Sequence, residues 1–247
     1  MNIIKVTLAN NTQRLAECSY LQLNSYSNTF FRQITFYNLH IDKNYDFIKI
    51  TSEDVIKVRV NIRNSGGWVH KYVVFEIFVY DIKKTGESNL IVIGFINVKD
   101  NVYMRYEQMP LDILNSWQSG IGIEKWREGA LEYKKAYCTA CRLYSDGTKH
   151  AIEKSHYYFN LLNARDIYDI ILVFAEEIYG NRVYMGWDER SFEDCLITIL
   201  SQVKGVEFII IVDRPNLSSE SLNLVNTIIG MLISSKTPYQ EISNLLS

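Results

Sequence analysis

The chain has 247 residues, of which 47% are hydrophobic and 22% charged, with only 3 prolines and 12 glycines. These values exclude a wholly disordered or collagen-like chain, and the length allows one large domain or two ordinary ones. Aromatic residues make up 13% of the chain and include 17 tyrosines, a content typical of β-rich structure and of contact surfaces.

The net charge of −2 is unevenly distributed along the chain. Residues 1–150 carry 19 basic and 15 acidic residues, a balance of +4, whereas residues 151–247 carry 7 and 13, a balance of −6. A mildly basic half joined to an acidic half predicts two functional units, with domains at 1–150 and 151–247.

The N-terminal segment has no basic region, long apolar region or small-residue cleavage site of the kind a signal peptide carries. No segment approaches the roughly 18 uninterrupted apolar residues of a membrane helix. We therefore expect a cytoplasmic protein with no membrane partner, and with its four cysteines reduced.

The first domain is predicted to be α+β, led by an antiparallel sheet. The first fifty residues are rich in β-formers but have no clean period, whereas strands are predicted at 55–62, 71–82, 89–98 and 101–106, joined by glycine-bearing turns. The two middle strands are almost continuously apolar, so we expect both of their faces to be covered.

Helical spacing begins after Pro110. The segments "LDILNSWQ" and "IEKWREGALEYKKAYCTACRL" both follow it, and in the second Trp126, Ala130 and Tyr133 are spaced by four and three residues. The polar stretch 144–156 contains Asp-Gly and no apolar run, so it is the expected domain boundary.

The acidic half predicts a small parallel sheet with helices packed on it. Its pattern gives a strand at 157–162, helices at 164–180 and 191–203, a buried strand at 206–213 and a helix at 218–235, in the order β–α–α–β–α. The tail "PYQEISNLLS" is ambiguous, and its strand could be short or missing.

The stretch "YMGWDERSFEDCLITIL" (184–200) predicts a capped helix. Asp188 can accept a backbone N–H at the start of a helix that begins at Glu189. Asp194 lies about 200° from Phe192 around that helix and should point outward, while Tyr184, Met185 and Trp187 precede the helix with no periodic core role. The expected core stripe is Phe192, Cys195, Leu196, Ile199 and Leu200. The outer face is then either a solvated helix surface or a recognition surface for a basic protein.

The motif "YMGWDERSFEDCL" and the elements around it resemble the barstar family, the inhibitors of barnase-type ribonucleases. The resemblance covers residues 157–247 and implies a barstar-like α/β fold. Tyr184 matches the loop aromatic of the family, and Asp194 matches the carboxylate that enters the basic active site of the ribonuclease. Two positions depart from the pattern, because Arg190 stands where the family has an acid and Glu193 where it has a tryptophan.

The resemblance implies an immunity protein that binds and occludes a bacterial toxin, with a nuclease as the expected target. We expect no enzymatic activity, no cofactor and no direct contact with nucleic acid, and the oligomeric state stays open. The expected partner-binding residues are Tyr184, Trp187, Asp188, Arg190, Glu193 and Asp194.

Two other interpretations stay open. Cys138 and Cys141, followed by His150 and His156, are either buried structural thiols or zinc ligands, although the spacing matches no finger pattern. The adjacent Glu176 and Glu177 offer a general base, but no nucleotide-binding, zinc-protease or serine-hydrolase motif accompanies them. The alternative function is an enzyme or metal-binding protein centred on the first domain, with the acidic domain as its regulatory module.

Overall fold

The computed structural model describes residues 3–10, 13–25, 31–41, 54–97, 108–121, 125–145 and 150–243. The chain forms two compact units, Met1–Ile121 and Gly122–Ser247. The boundary expected near residue 150 therefore falls inside the second unit. No helix in the described ranges is long and apolar enough to cross a membrane.

The first unit is built on an antiparallel sheet whose order is β3-β4-β8-β7-β6-β1-β2-β5. The expected antiparallel sheet is confirmed, while the predicted strand at 101–106 lies outside the described residues. Its strands are β1 (Ile4–Asn10), β2 (Gln13–Cys18), β3 (Tyr20–Ser25), β4 (Phe31–Tyr37), β5 (His40–Ile41), β6 (Val55–Arg63), β7 (Val69–Thr85) and β8 (Asn89–Asn97).

Chain continuity between β2 and β3 curls this sheet. Strand β2 pairs with β1 and β3 pairs with β4, near opposite ends of the strand order. Only Ser19 separates β2 from β3, and β1 and β3 also lie in contact. The early segment thus contributes five short strands that its sequence pattern did not resolve.

The sheet buries one face. In β6 the alternate residues Ile56, Val58, Val60 and Ile62 are fully buried, as the period of two requires. Helix α1 (Gln108–Gln118) contacts β1 and β3 and contributes buried apolar side chains of its own.

The expectation that both faces of the two middle strands are covered is wrong for the described residues. On the outer face, Phe78 and Tyr80 of β7 are 46% and 67% exposed, and Phe95 of β8 is 48% exposed. The apolar run therefore reflects exposed aromatics on one side as well as a core on the other.

The second unit has a three-stranded parallel sheet in the order β11-β10-β9. The predicted small parallel sheet with helices is confirmed, and the ambiguous tail forms a third strand. Its elements are α2 (Leu131–Tyr144), β9 (His156–Asn160), α3 (Ile167–Tyr179), α4 (Glu189–Gln202), β10 (Glu207–Val212), α5 (Ser219–Ser234) and β11 (Tyr239–Ser243).

The helix expected from residue 123 onwards is shorter than its pattern indicates. Residues Lys125–Glu128 form a 3₁₀ turn, and α2 starts only at Leu131, after Gly129 and Ala130. Trp126 is nevertheless buried, and its indole nitrogen donates a 2.6 Å hydrogen bond to Oε1 of Glu176 on α3.

A buried cation attaches α2 to the start of α3. Lys134 is 1% exposed, and its Nζ lies 2.7 Å from Oδ2 of Asp166 and 2.6 Å from Oδ1 of Asp169. Asp166 also caps α3 by accepting the backbone N–H groups of Tyr168 and Asp169. The charged cluster explains why α2 belongs with the acidic half, and why the polar stretch after it is not the domain boundary.

Replacing Lys134 with methionine tests this attachment. The substitution keeps the apolar stem but removes the nearer cation of the buried Asp169 carboxylate, leaving only Arg165 at 4.0 Å, so we expect a loss of about 3–5 kcal/mol in the free energy of unfolding. Urea denaturation measures it, with Lys135→Met on the exposed side of α2 as the control. Equal stability of the two variants would contradict this role.

The ion pair between Arg214 and Glu241 gives a pH-dependent prediction. Hydrogen bonds from the Arg214 guanidinium lower the pKa of Glu241 from its ordinary value of 4.5. A lowered pKa in the folded state means that the pair stabilises the fold above pH 4.5 and that this stabilisation is lost as the pH falls through the lowered pKa.

We therefore expect Glu241→Gln to be less stable than the parent at about pH 7, with the difference shrinking on acidification below the ordinary glutamate pKa. Denaturant unfolding at a series of pH values measures the gap. The exposed Glu220→Gln serves as the control and should show a small gap at every pH. A gap for Glu241→Gln that grows as the pH falls would show that the sign is wrong.

Candidate partner-binding surface

The loop before α4 is held closely against the helix. Gly186 has φ +121°, and a Cβ added there would lie 2.6 Å from the backbone nitrogen of Phe192. Only glycine accommodates both this dihedral and this approach. Met185 is 1% exposed and belongs to the core, so the expectation that it has no core role is wrong.

Helix α4 starts as the sequence predicts. The Asp188 carboxylate accepts from Ser191 N at 2.8 Å and from Ser191 Oγ at 2.6 Å, while Ser191 Oγ accepts from the backbone N–H groups of Asp188 and Trp187. This reciprocal capping box fixes the start of the helix. The Asp188 carboxylate is therefore already hydrogen-bonded within the cap. Its role is to fix the start of α4, which carries the other expected partner-binding residues.

The predicted stripe of α4 packs inward. Phe192, Leu196 and Ile199 are fully buried, and Phe192 meets Phe174 of α3 edge to face at 5.6 Å between ring centroids. Cys195 is partly buried at the margin of this core. The orientation of the helix is thus set by its apolar face, which fixes where the opposite face points.

The outer face of α4 carries the charges expected from the sequence. Asp194 and Arg190 are exposed, and Glu193 is half-buried. None of the three side chains forms a hydrogen bond or ion pair with another described residue. Asp194 is therefore a carboxylate held on a rigid helix and available to an external cation.

The two aromatic residues of the loop differ in exposure. Trp187 is 52% exposed, and the guanidinium of Arg142 on α2 lies 5.8 Å from the centroid of its ring, within cation–π range. Tyr184 is half-buried, and this burial raises the pKa of its hydroxyl. Trp187 is thus the accessible aromatic of the pair.

Sequence reasoning missed Arg142, since its position depends on how α2 packs against α3 and not on any motif around it. Gly186 was seen as part of a motif, but its close approach to Phe192 was not. The one signal in the sequence that could have indicated a positive φ was the position of Gly186 between Met185 and Trp187.

The zinc interpretation receives no geometric support in the described part of the chain. Cys138 and Cys141 lie on the buried face of α2, and burial raises the pKa of Cys138 to about 12, which keeps the thiol protonated. His150 is exposed, and Nε2 of His156 lies 3.2 Å from Oε2 of Glu207. No group of three or more metal-ligating side chains occurs among the described residues.

The glutamates considered as a general base are both engaged. Glu176 accepts from Trp126 and pairs with Arg127, and Glu177 accepts from Lys154 Nζ at 2.7 Å and from Tyr158 N at 3.0 Å. These contacts tie α3 to its neighbours. They give the two carboxylates a structural use that the sequence pattern did not indicate.

Gly186→Ala tests the fixed loop. The backbone strain and the clash with Phe192 together should cost about 2–5 kcal/mol of unfolding free energy. The matched control is Gly205→Ala, where φ is +72° and no atom lies within 4 Å of the added Cβ. That variant should lose only about 1–2 kcal/mol from the dihedral itself. Thermal denaturation compares them, and equal losses would mean that the loop does not pack as described.

Comparison of the chain with protein-family models, with curated proteins and with solved structures finds no match. The features of the surface formed by the loop 182–188 and α4 are therefore known from this structure alone. It combines a capped helix, one exposed tryptophan and an unpaired outward carboxylate.

Proposed function

We propose that this chain is an immunity protein that binds a bacterial toxin and occludes its active site, with a ribonuclease as the toxin. The proposal rests on the resemblance of residues 157–247 to the barstar family. The observation that carries it furthest is the exposed Asp194 carboxylate, which has no partner in the described residues and stands on a rigid, capped helix.

The order of elements supports the proposal. Residues His156–Ser243 run β9–α3–α4–β10–α5–β11 around one parallel sheet. The resemblance to the barstar family implies the same succession of elements. It also implies that the loop between the first two helices of this succession is the contact region. Fold alone does not establish function, so the weight lies on the side chains of that loop and helix.

The chemistry of inhibition would be electrostatic replacement. A ribonuclease active site is cationic because it binds a phosphate, and a carboxylate held outward on a helix can occupy the position of that phosphate. Capping by Asp188 and Ser191 removes the entropic cost of ordering the helix at the moment of binding. Trp187 supplies an exposed aromatic anchor in the loop that precedes the helix bearing Asp194.

Arg190 and Glu193 restrict the choice of target. Arg190 lies on the same outer face as Asp194 and would repel a purely cationic site. We therefore expect a toxin whose active-site rim carries an acidic group opposite Arg190, and not a toxin with a uniformly basic rim. These two positions would set which toxin is recognised.

The geometry gives the enzyme and metal-binding alternatives less support. The two glutamates and the four potential zinc ligands are either engaged in structural contacts or separated, as described above. Occlusion of a toxin's active site, by contrast, involves no chemical step. It requires only that the contacting side chains are exposed and held in place.

The experiment is capture of the toxin with the full chain, using a lysate of the source organism and the purified products of neighbouring genes. The expected result is a captured ribonuclease whose RNA cleavage is abolished at a 1:1 ratio. Asp194→Ala should weaken the complex by about 2 kcal/mol, or about 30-fold.

The control is Glu220→Ala, which removes an exposed carboxylate from α5 in the same unit and should leave the affinity unchanged. If Asp194→Ala and Glu220→Ala bind equally well, Asp194 is not the occluding group. If the captured protein is no nuclease, the proposed target class is wrong.

A further inference from the structure

A groove in the second unit shares the C-terminal half of α4 with the proposed toxin-binding surface. It runs between the C-terminal halves of α4 and α5 and has a volume of about 930 Å³. Its apolar wall includes Ile197, Leu200 and Met231, and Ile197 is 59% exposed. We call this feature the α4–α5 groove.

Gly230 of α5 lines the groove and is exposed. A glycine inside a helix costs about 1 kcal/mol relative to alanine, and a Cβ added at Gly230 would have no neighbour within 4 Å. The packing of the described residues therefore gives no reason for a glycine at this position. Its absent side chain leaves room for a group from another molecule.

The charges of the groove indicate what that group is. Lys204 and Lys236 lie at one end, where α4 and α5 finish, and neither pairs with an acidic side chain among the described residues. The occupant should therefore present an apolar side chain followed by carboxylates.

Helix α4 carries that pattern itself. Along its outer face Asp194, Ile197 and Ser201 succeed one another at spacings of three and four residues, and Lys204 follows the end of the helix. In an antiparallel pairing of two α4 helices centred between Ile197 and Ser201, Asp194 of one copy faces Lys204 of the partner subunit. The same contact recurs through the two-fold axis, as an isologous interface requires.

We propose that the α4–α5 groove is a homodimer interface, in which Ile197 of each copy packs into the groove of the other. The acidic half of each α4 meets the lysines of the partner. This pairing is inferred without reference to a toxin, but it uses the Asp194 carboxylate, so the homodimer and the proposed toxin complex exclude one another at α4.

Sedimentation velocity of the full chain tests the proposal, at concentrations up to about 100 μM so that a micromolar dimer is populated. The expected mass is twice the monomer mass of 28.8 kDa. Ile197→Asp should yield monomers. Ile233→Asp, at an isoleucine of α5 that is also 59% exposed but does not line the groove, should stay dimeric.

Exchanging the charges across the interface distinguishes loss of the intermolecular contact from unfolding of the chain. Lys204→Glu with Lys236→Glu should dissociate the dimer, and adding Glu193→Lys with Asp194→Lys should restore it, with unchanged circular dichroism throughout. A monomeric parent chain, a dimer that survives Ile197→Asp, or a failure of the exchange to restore association in folded protein would each overturn the proposal.

Discussion

The buried ammonium group of Lys134 is the interaction on which the geometry of the second unit depends. It joins α2 to the carboxylates of Asp169 in α3 and of Asp166, the residue that caps α3. Because a buried charge is tolerated only when it is paired, this cluster holds α2 against the start of α3. That position brings Arg142 within 5.8 Å of the Trp187 ring. Through Phe174 and Phe192, α3 in turn fixes the inward face of α4 and hence the outward direction of Asp194.

The sequence was informative wherever the structure is local. The cap at Asp188, the buried stripe at Phe192, Leu196 and Ile199, and the outward Asp194 all follow from helical periodicity and from one side chain that accepts a backbone N–H. The strands from Val55 onwards were similarly readable. In each case the residues that decide the structure lie within a few positions of one another.

What the sequence did not reveal depends on pairing over long distances. The five strands before residue 42 are ordered by β1 pairing with β6, some fifty residues away, and by the passage from β2 into β3. The domain boundary was placed too late because the contacts of Lys134 lie more than thirty residues further along the chain. Met185 belongs to the core because Gly186 turns the loop back onto Phe192, a backbone feature that composition does not encode.

The central claim is that the loop and helix at 182–202 are the surface that meets the toxin. Hydrogen–deuterium exchange of the full chain, alone and with the captured ribonuclease, tests it without any substitution. The account predicts slower exchange in the complex at the amides of the loop 182–188 and at the first turns of α4, with the first unit unchanged. Protection confined to the first unit, or no change between residues 182 and 202, would contradict it.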